Sequence, residues 1–202
     1  MGIIERKEKE KSDLRKSILD AARELFLEKG YEQTSVRNIA EKIEYSPTTI
    51  YLYFKDKDSI FLELHNEGFR MLGQHMSVLM HVEDPMERLK AMGRAYIRFA
   101  QDNPVFYDLM FVQEAPICSL DHKNWEAGDG AFQILEATIA QCIEKGLLKF
   151  KDAEVGAFVV WSTMHGMCIL NFRERCMVIS PEKQADIIES GLNEFIRLLS
   201  PE

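Results

Sequence analysis

Residues Tyr45 to Lys57 read YSPTTIYLYFKDK, and the role of this segment decides the fold. Ser46 before Pro47 is a helix start. A serine hydroxyl at the N-cap accepts from an orphan backbone N–H, and proline at the first helical position lacks an N–H that would find no partner there. The helix that follows is about two turns long. It carries Thr48 and Thr49, then the rings of Tyr51, Tyr53 and Phe54, and is followed at once by Lys55 and Lys57. A short core helix shows an apolar stripe and a charged back. Here small hydroxyls and rings stand where charges belong.

Upstream, Thr34 or Ser35 caps a second short helix in which Val36, Ile39, Ala40 and Ile43 fall at i, i+3, i+4 and i+7. Before it, a helix capped by Ser12 or Asp13 places Leu14, Ile18, Ala21, Ala22 and Leu25 on one stripe and ends at Gly30, with Lys29 in its last turn. Residues 1–11 are charged with no apolar face and read as a mobile arm. Two short amphipathic helices joined by a tight turn, with a first helix across them, form a helix-turn-helix. Its last helix enters the major groove by the N-terminal end, so the outward residues there must be short hydrogen-bonding ones.

Ser46, Thr48 and Thr49 meet that demand, and Tyr51 faces outward at the height of a phosphate or thymine methyl. Ile50 and Phe54 point back to the core. Leu52 suits either a thymine methyl or peripheral packing, and both readings stay open. Lys57 in the first turn of the next helix, with the amides there, can hold a phosphate, while Thr34 and Arg37 can anchor the opposite backbone. The bland reading of any one of these is a solvated cap or surface charge; their joint spacing favours DNA.

Downstream, Asp56 caps a helix through Phe61, Leu64, Phe69, Leu72 and Leu79. Asp84-Pro85 begins one that reaches Asn103-Pro104, and a short helix spans 105–112. A loop with Pro116 ends near Asn124. Helices over 125–145, 152–175 and 181–199 complete an all-α chain of about nine helices. The division expected is a DNA-binding domain over 1–58 and a ligand-binding and dimerisation domain over 59–202.

The 202 residues are 46% hydrophobic and 29% charged, a globular balance. The net charge is −8, yet the first 60 residues carry twelve basic and twelve acidic side chains, so the deficit belongs to the rest. Four cysteines at irregular spacing and no secretory leader point to a cytoplasmic chain with free thiols. Gly156 to Phe172 is weakly polar for 17 residues and contains Ser162, Thr163, His165 and Asn171. It reads as a buried helix rather than a membrane span.

The run SILDAARELFLEKGYEQTSVRNIAEKIEYSPTTIYLYFKDKDSIFLEL, Ser17 to Leu64, resembles the DNA-binding domain of TetR-type transcriptional regulators. The A-x-x-L-F, K-G-Y, T-S-V-R-x-I-A and T-I-Y-x-Y-F-x-x-K positions carry the likeness. The resemblance implies a cytoplasmic all-helical homodimer on a palindromic double-stranded operator, usually a repressor released by a small ligand. It places DNA contacts on Thr34, Arg37, Ser46, Thr48, Thr49, Tyr51 and Lys57. The family often has Gly where Glu44 stands and a small or basic residue where Pro47 stands. The Trp161, His165, Gly166 element is similar to a C-terminal subgroup named for those three letters.

The helix over 152–175 is apolar nearly all round. That over 181–199 spaces Ile188, Leu192, Phe195 and Leu199 as a seam, so these two helices, with Val155 and Val159, are expected to pair with a second copy as a four-helix bundle. Trp161 and His165 share one face, and Gly166 is read as permitting close helix approach. His165 is either a core histidine satisfied by a carbonyl or a polar anchor in an apolar cavity. Ten methionines and twelve phenylalanines fill a core or line a permissive cavity, for which Phe69, Phe106, Met110, Trp161, Met164 and His165 are the candidates, the ligand being a small apolar molecule.

No phosphate loop, G-x-S-x-G, H-E-x-x-H or zinc-spaced cysteine pair occurs, and Cys118 with His122 is a lone C-x-x-x-H. Neither an enzyme nor a metal or cofactor is expected. Two other classes stay in view. A thiol-based redox regulator would use a cysteine such as Cys176, beside Arg173 and Arg175. A helical protein-interaction module without DNA binding would leave the Ser46–Lys57 pattern a coincidence.

Overall fold

The chain turns helical earlier than its apolar pattern predicts. In the computed structural model, which describes residues 2–113 and 126–201, α1 spans Ile3–Gln33 instead of starting at Ser12 or Asp13. Residues 4–13 are exposed, so tertiary packing does not hold them. Their Glu, Lys and Arg are strong helix formers, and Arg6 pairs with Glu10 at 2.9 Å one turn on. At the other end Gly30 breaks the regular helix with φ 79, a left-handed value that glycine adopts without steric cost.

The chain divides into two compact units. The first takes in the chain as far as Gly68 and the stretch that begins at Val105. It holds α1, α2 (Val36–Lys42), α3 (Pro47–Tyr51), the start of α4 (Lys57–Val78) and nearly all of α6 (Pro104–Phe111). Ile18, Phe26, Ile39, Ile50, Phe61 and Leu64 form its core. Arg15 makes a two-pronged pair with Glu63 and lies over the Phe54 ring, 4.8 Å from its centroid, which fixes α1 against α4 and the segment between α3 and α4. The α6 stretch is held to α1 through Gln113, whose Nε2 donates to the carbonyl of Phe26 at 2.9 Å and to Asp108 at 2.8 Å.

The second unit comprises Phe69–Pro104 and the chain from Glu126 on. It contains the end of α4, a 3₁₀ turn at Leu79–His81, α5 (Pro85–Asp102), α7 (Glu126–Glu144), α8 (Ala153–Phe172), α9 (Pro181–Gln184) and α10 (Ile187–Leu199). The single helix expected over 181–199 is broken at Ala185–Asp186, and Asp186 stands as the cap of α10. Arg88 is buried. Its guanidinium donates to the Val82 carbonyl at 2.9 and 2.6 Å and to Gln141 at 2.8 Å, tying the turn before α5 to α7.

Close helix approach is met by a glycine other than the expected one. A Cβ on Gly156 would come within 2.9 Å of Ile139 and 3.0 Å of Phe150, whereas one on Gly166 would meet nothing within 4 Å. By length and hydropathy α8 could cross a membrane, but its Ala157, Val160, Met164 and Cys168 are buried in the protein core. Pro116, Cys118, His122 and Asn124 lie outside the described residues.

Candidate nucleic-acid interface

The turn between α2 and α3 is a Schellman closure. The N–H of Tyr45 donates to the Ala40 carbonyl at 2.9 Å and that of Glu44 to the Glu41 carbonyl at 3.2 Å. This geometry needs a left-handed residue just past the helix, and Glu44 supplies it at φ 60. That conformation is the physical reason a glycine suits the position. Ser35 caps α2 by accepting from Asn38 N–H at 3.2 Å, while the Asn38 side chain accepts from Ser35 N–H at 3.0 Å.

Ser46 caps α3, accepting from Thr49 N–H at 3.2 Å, and its hydroxyl lies 2.9 Å from that of Thr49. Ile50 is fully buried and Phe54 nearly so, which fixes the rotation of this five-residue helix. The opposite side, Ser46, Pro47, Thr48 and Tyr51, is therefore presented to solvent, with Thr49 at its edge. Leu52 is 77% exposed, which removes the peripheral-packing reading. Tyr45 beside it is also exposed.

Arg37 is exposed and paired with Glu41 at 3.0 Å on its own helix. A phosphate can compete for it, since an exposed pair of this kind is worth well under about 1 kcal/mol. Thr34 is different. It is 2% exposed, and its hydroxyl lies 2.8 Å from the Gly30 carbonyl and 3.2 Å from that of Leu25. Its side chain locks the α1–α2 joint and does not face outward.

Lys57 opens α4, which Asp56 caps by accepting from Ser59 N–H at 2.8 Å. The Lys57 ammonium donates to the Tyr31 carbonyl at 2.8 Å and lies 3.9 Å from the centroid of that ring. Tyr31 in turn gives its phenol proton to Asp58. Burial, and then the neighbouring Asp58 carboxylate, pushes that phenol well above its usual range. Lys55 is exposed and makes no ion pair among the described residues. The spacing drew attention to Lys57; its engagement with Tyr31, 26 positions earlier, is a tertiary fact that sequence periodicity does not carry.

Residues 18–64 match the family model described as bacterial regulatory proteins, tetR family, and 89–195 match the tetracyclin repressor-like C-terminal domain. The chain belongs to the TetR family. It is therefore a DNA-binding transcriptional regulator of helix-turn-helix type. It is 28% identical over 187 residues to the fatty acid metabolism regulator protein of Bacillus subtilis, covering 87% of this chain and 94% of that protein. It is 39% identical over 54 residues to the transcriptional regulator QacR of Staphylococcus aureus, 27% of this chain and 29% of that one. Among solved structures it is similar to the TetR family regulator PfmR of Thermus thermophilus, with TM-score 0.71 and 25% identity over 89% of this chain and 97% of that one.

In this TetR-family chain the expected ligand residues fall into both units. Phe106 and Met110 are buried in the first, where a Cβ on Gly68 would come within 2.5 Å of the Met110 sulfur. Phe69, Trp161, Met164 and His165 belong to the second. There the His165 Nδ1 lies 3.4 Å from the Tyr96 hydroxyl, and burial lowers the His165 pKa. A cleft of about 240 Å³ lies instead among α5, α8 and α10, and none of the six lines it.

The expected dimer residues also separate. Leu192 is 1% exposed, and its Cδ1 would lie 2.7 Å from a Cβ on Gly93 of α5, so it faces inward. Val155 and Phe158 are more than half exposed, as is Leu198 on α10, while Val159, Ile188, Phe195 and Leu199 are half-buried.

Proposed function

We propose that this regulator is a cytoplasmic repressor that binds a palindromic operator as a homodimer and releases it when a small apolar ligand occupies the second unit. The functional division proposed is a DNA-binding part over 1–58 and a ligand and dimerisation part over 59–202. The observation that carries the DNA reading is the presented face of α3. Ser46, Thr48, Thr49 and Tyr51 are short or hydroxyl-bearing and point away from the side fixed by Ile50 and Phe54. Arg37, Lys57 and the exposed Lys55 supply phosphate contacts, and Thr34 acts by holding the joint.

The dimer reading rests on the apolar exposed face of α8. Val155, Phe158 and Val159, followed a turn later by Ser162 and then Gly166, form a seam whose small members leave room for a partner helix. The closely placed Trp161 and His165 keep the Trp-His-Gly subgroup as part of this proposal. Cys142 and Cys168 are buried, and burial pushes the Cys142 thiol up to about 11, far from a reactive thiolate, so among the described residues a thiol switch would fall to the half-buried Cys176. Nuclease protection of the DNA around the chain's own gene by purified protein tests the proposal. A symmetric protected site of two half-sites about one helical turn apart is expected; protection without symmetry or no protection at all contradicts it.

A further inference from the structure

We propose that the cleft among α5, α8 and α10 is the effector site of this regulator, and that it takes an uncharged, mostly apolar small molecule with one hydrogen-bonding end. This rests on the reading of the protein as a ligand-released repressor and assigns that ligand a place and a chemical class. The cleft holds about 240 Å³, far above the roughly 10–15 Å³ that a single water needs. Ile97 and Ala100 of α5, Phe172 of α8 and Ile188 of α10 form its apolar wall. Waters against such a wall lack partners, and an apolar guest gains by displacing them.

The polar groups at the mouth are the carboxamides of Gln101 and Asn171, both on exposed residues. Each can donate and accept, so they suit a hydroxyl, amide or ester oxygen. Among the described residues no charged side chain lines the cleft. Arg173, whose guanidinium lies 5.4 Å from the centroid of the Phe172 ring, is not part of the lining. A carboxylate or phosphate entering here would lose water without gaining an ionic partner.

The cleft is also placed to be felt. Between Phe172 and Leu192 no residue is buried, and the connection is built from a 3₁₀ turn at Arg175–Val178 and the four-residue α9. One wall therefore belongs to the least packed part of the second unit, which can open at low cost. Occupation would press on α8 and α10, the helices proposed to meet the second copy, so the ligand acts on dimer geometry.

The test uses a matched pair, 4-phenylbutan-1-ol and 4-phenylbutanoate, titrated calorimetrically into the full-length protein without DNA, and then into its complex with the protected fragment. The alcohol is expected to bind the parent, with the carboxylate weaker by about tenfold or more. Ala100→Phe, which fills the cleft, should weaken the alcohol by a similar factor at an unchanged unfolding midpoint. Ile188→Trp, on the half-buried side, serves the same purpose if Ala100→Phe does not fold. No binding of the alcohol, equal binding of the carboxylate, or binding indifferent to both fillers overturns the assignment. Binding as expected without release of the fragment upholds the cleft as a site and contradicts ligand-released repression.

Discussion

The ammonium of Lys57 lies 2.8 Å from the carbonyl oxygen of Tyr31 and 3.9 Å from the centroid of the same residue's ring. One side chain thus satisfies a carbonyl at the end of α1 while standing at the N-terminus of α4. Lys55, two positions earlier, is exposed and has no such engagement among the described residues.

The two lysines should separate in mutants. Lys57→Ala removes a charge-assisted hydrogen bond and a cation–π contact at a half-buried site, and should cost about 1–2 kcal/mol of unfolding free energy. Lys55→Ala should leave stability within about 0.5 kcal/mol. Each should weaken DNA binding and lower the slope of log affinity against log salt by about one. Denaturant titration beside salt-dependent binding reads both effects.

Glu44 holds a left-handed backbone at φ 60. For a residue with a Cβ this costs about 1 kcal/mol, and glycine's greater unfolded-state entropy offsets about half of it. Glu44→Gly should raise the unfolding midpoint by about one to two degrees. It also removes a carboxylate next to the recognition helix, so random-duplex affinity should rise too. Glu44→Ala, with the Cβ kept and the charge removed, should raise affinity without the gain in stability.

His65 is fully buried, and burial lowers its pKa to about 4. The unfolded chain therefore binds this proton first on acidification, so stability is complete above the unfolded value of about 6.5 and is lost as pH falls towards 4. Linkage gives a loss of about 2 kcal/mol between about pH 7.5 and 5.0. His165, also lowered by burial, works in the same direction. His65→Gln should flatten this part of the profile in denaturant titrations; an unchanged slope would mean the histidine does not report on folding.

Much of the DNA-binding unit is legible in the sequence because its signals are local. Ser46 and Asp56 read as caps from type and position, Ser35 as one of two candidates beside Thr34, and Ile39, Ile50 and Phe54 read as core from helical spacing. Thr34 misleads because a hydroxyl before a helix looks the same whether it caps outward or bonds back to Gly30, and only burial separates the two. Gly166 suggests a close approach that Gly156 makes instead, since a glycine's neighbour lies on another helix. Leu192 falls on the expected dimer seam because spacing defines a face without saying what it meets. The break at Ala185–Asp186 lies where the polar, exposed Glu182, Lys183 and Gln184 give way to Ile187 and Ile188, so the apolar seam begins only after it. The cleft has no sequence signature, being a gap left by three helices far apart in the chain.

The exposed Val155 and Phe158 on α8 predict the assembly. Replacing both by Glu should yield a folded monomer by light scattering at micromolar concentration and abolish tight operator binding, since like charges would be buried across the two-fold. A parent that is itself monomeric, or a double mutant that remains dimeric, would refute this interface.

The central claim is that the front of α3 reads base edges. The most direct measurement compares the parent with the combined Thr48→Ala, Thr49→Ala and Tyr51→Ala protein for affinity to the protected operator and to random duplex at one salt concentration. The account predicts an unchanged unfolding midpoint, modest loss on random DNA, and an operator-to-random ratio reduced about a hundredfold or more, at about 1–3 kcal/mol per lost base contact. A folded triple mutant that keeps the parent's ratio would contradict it.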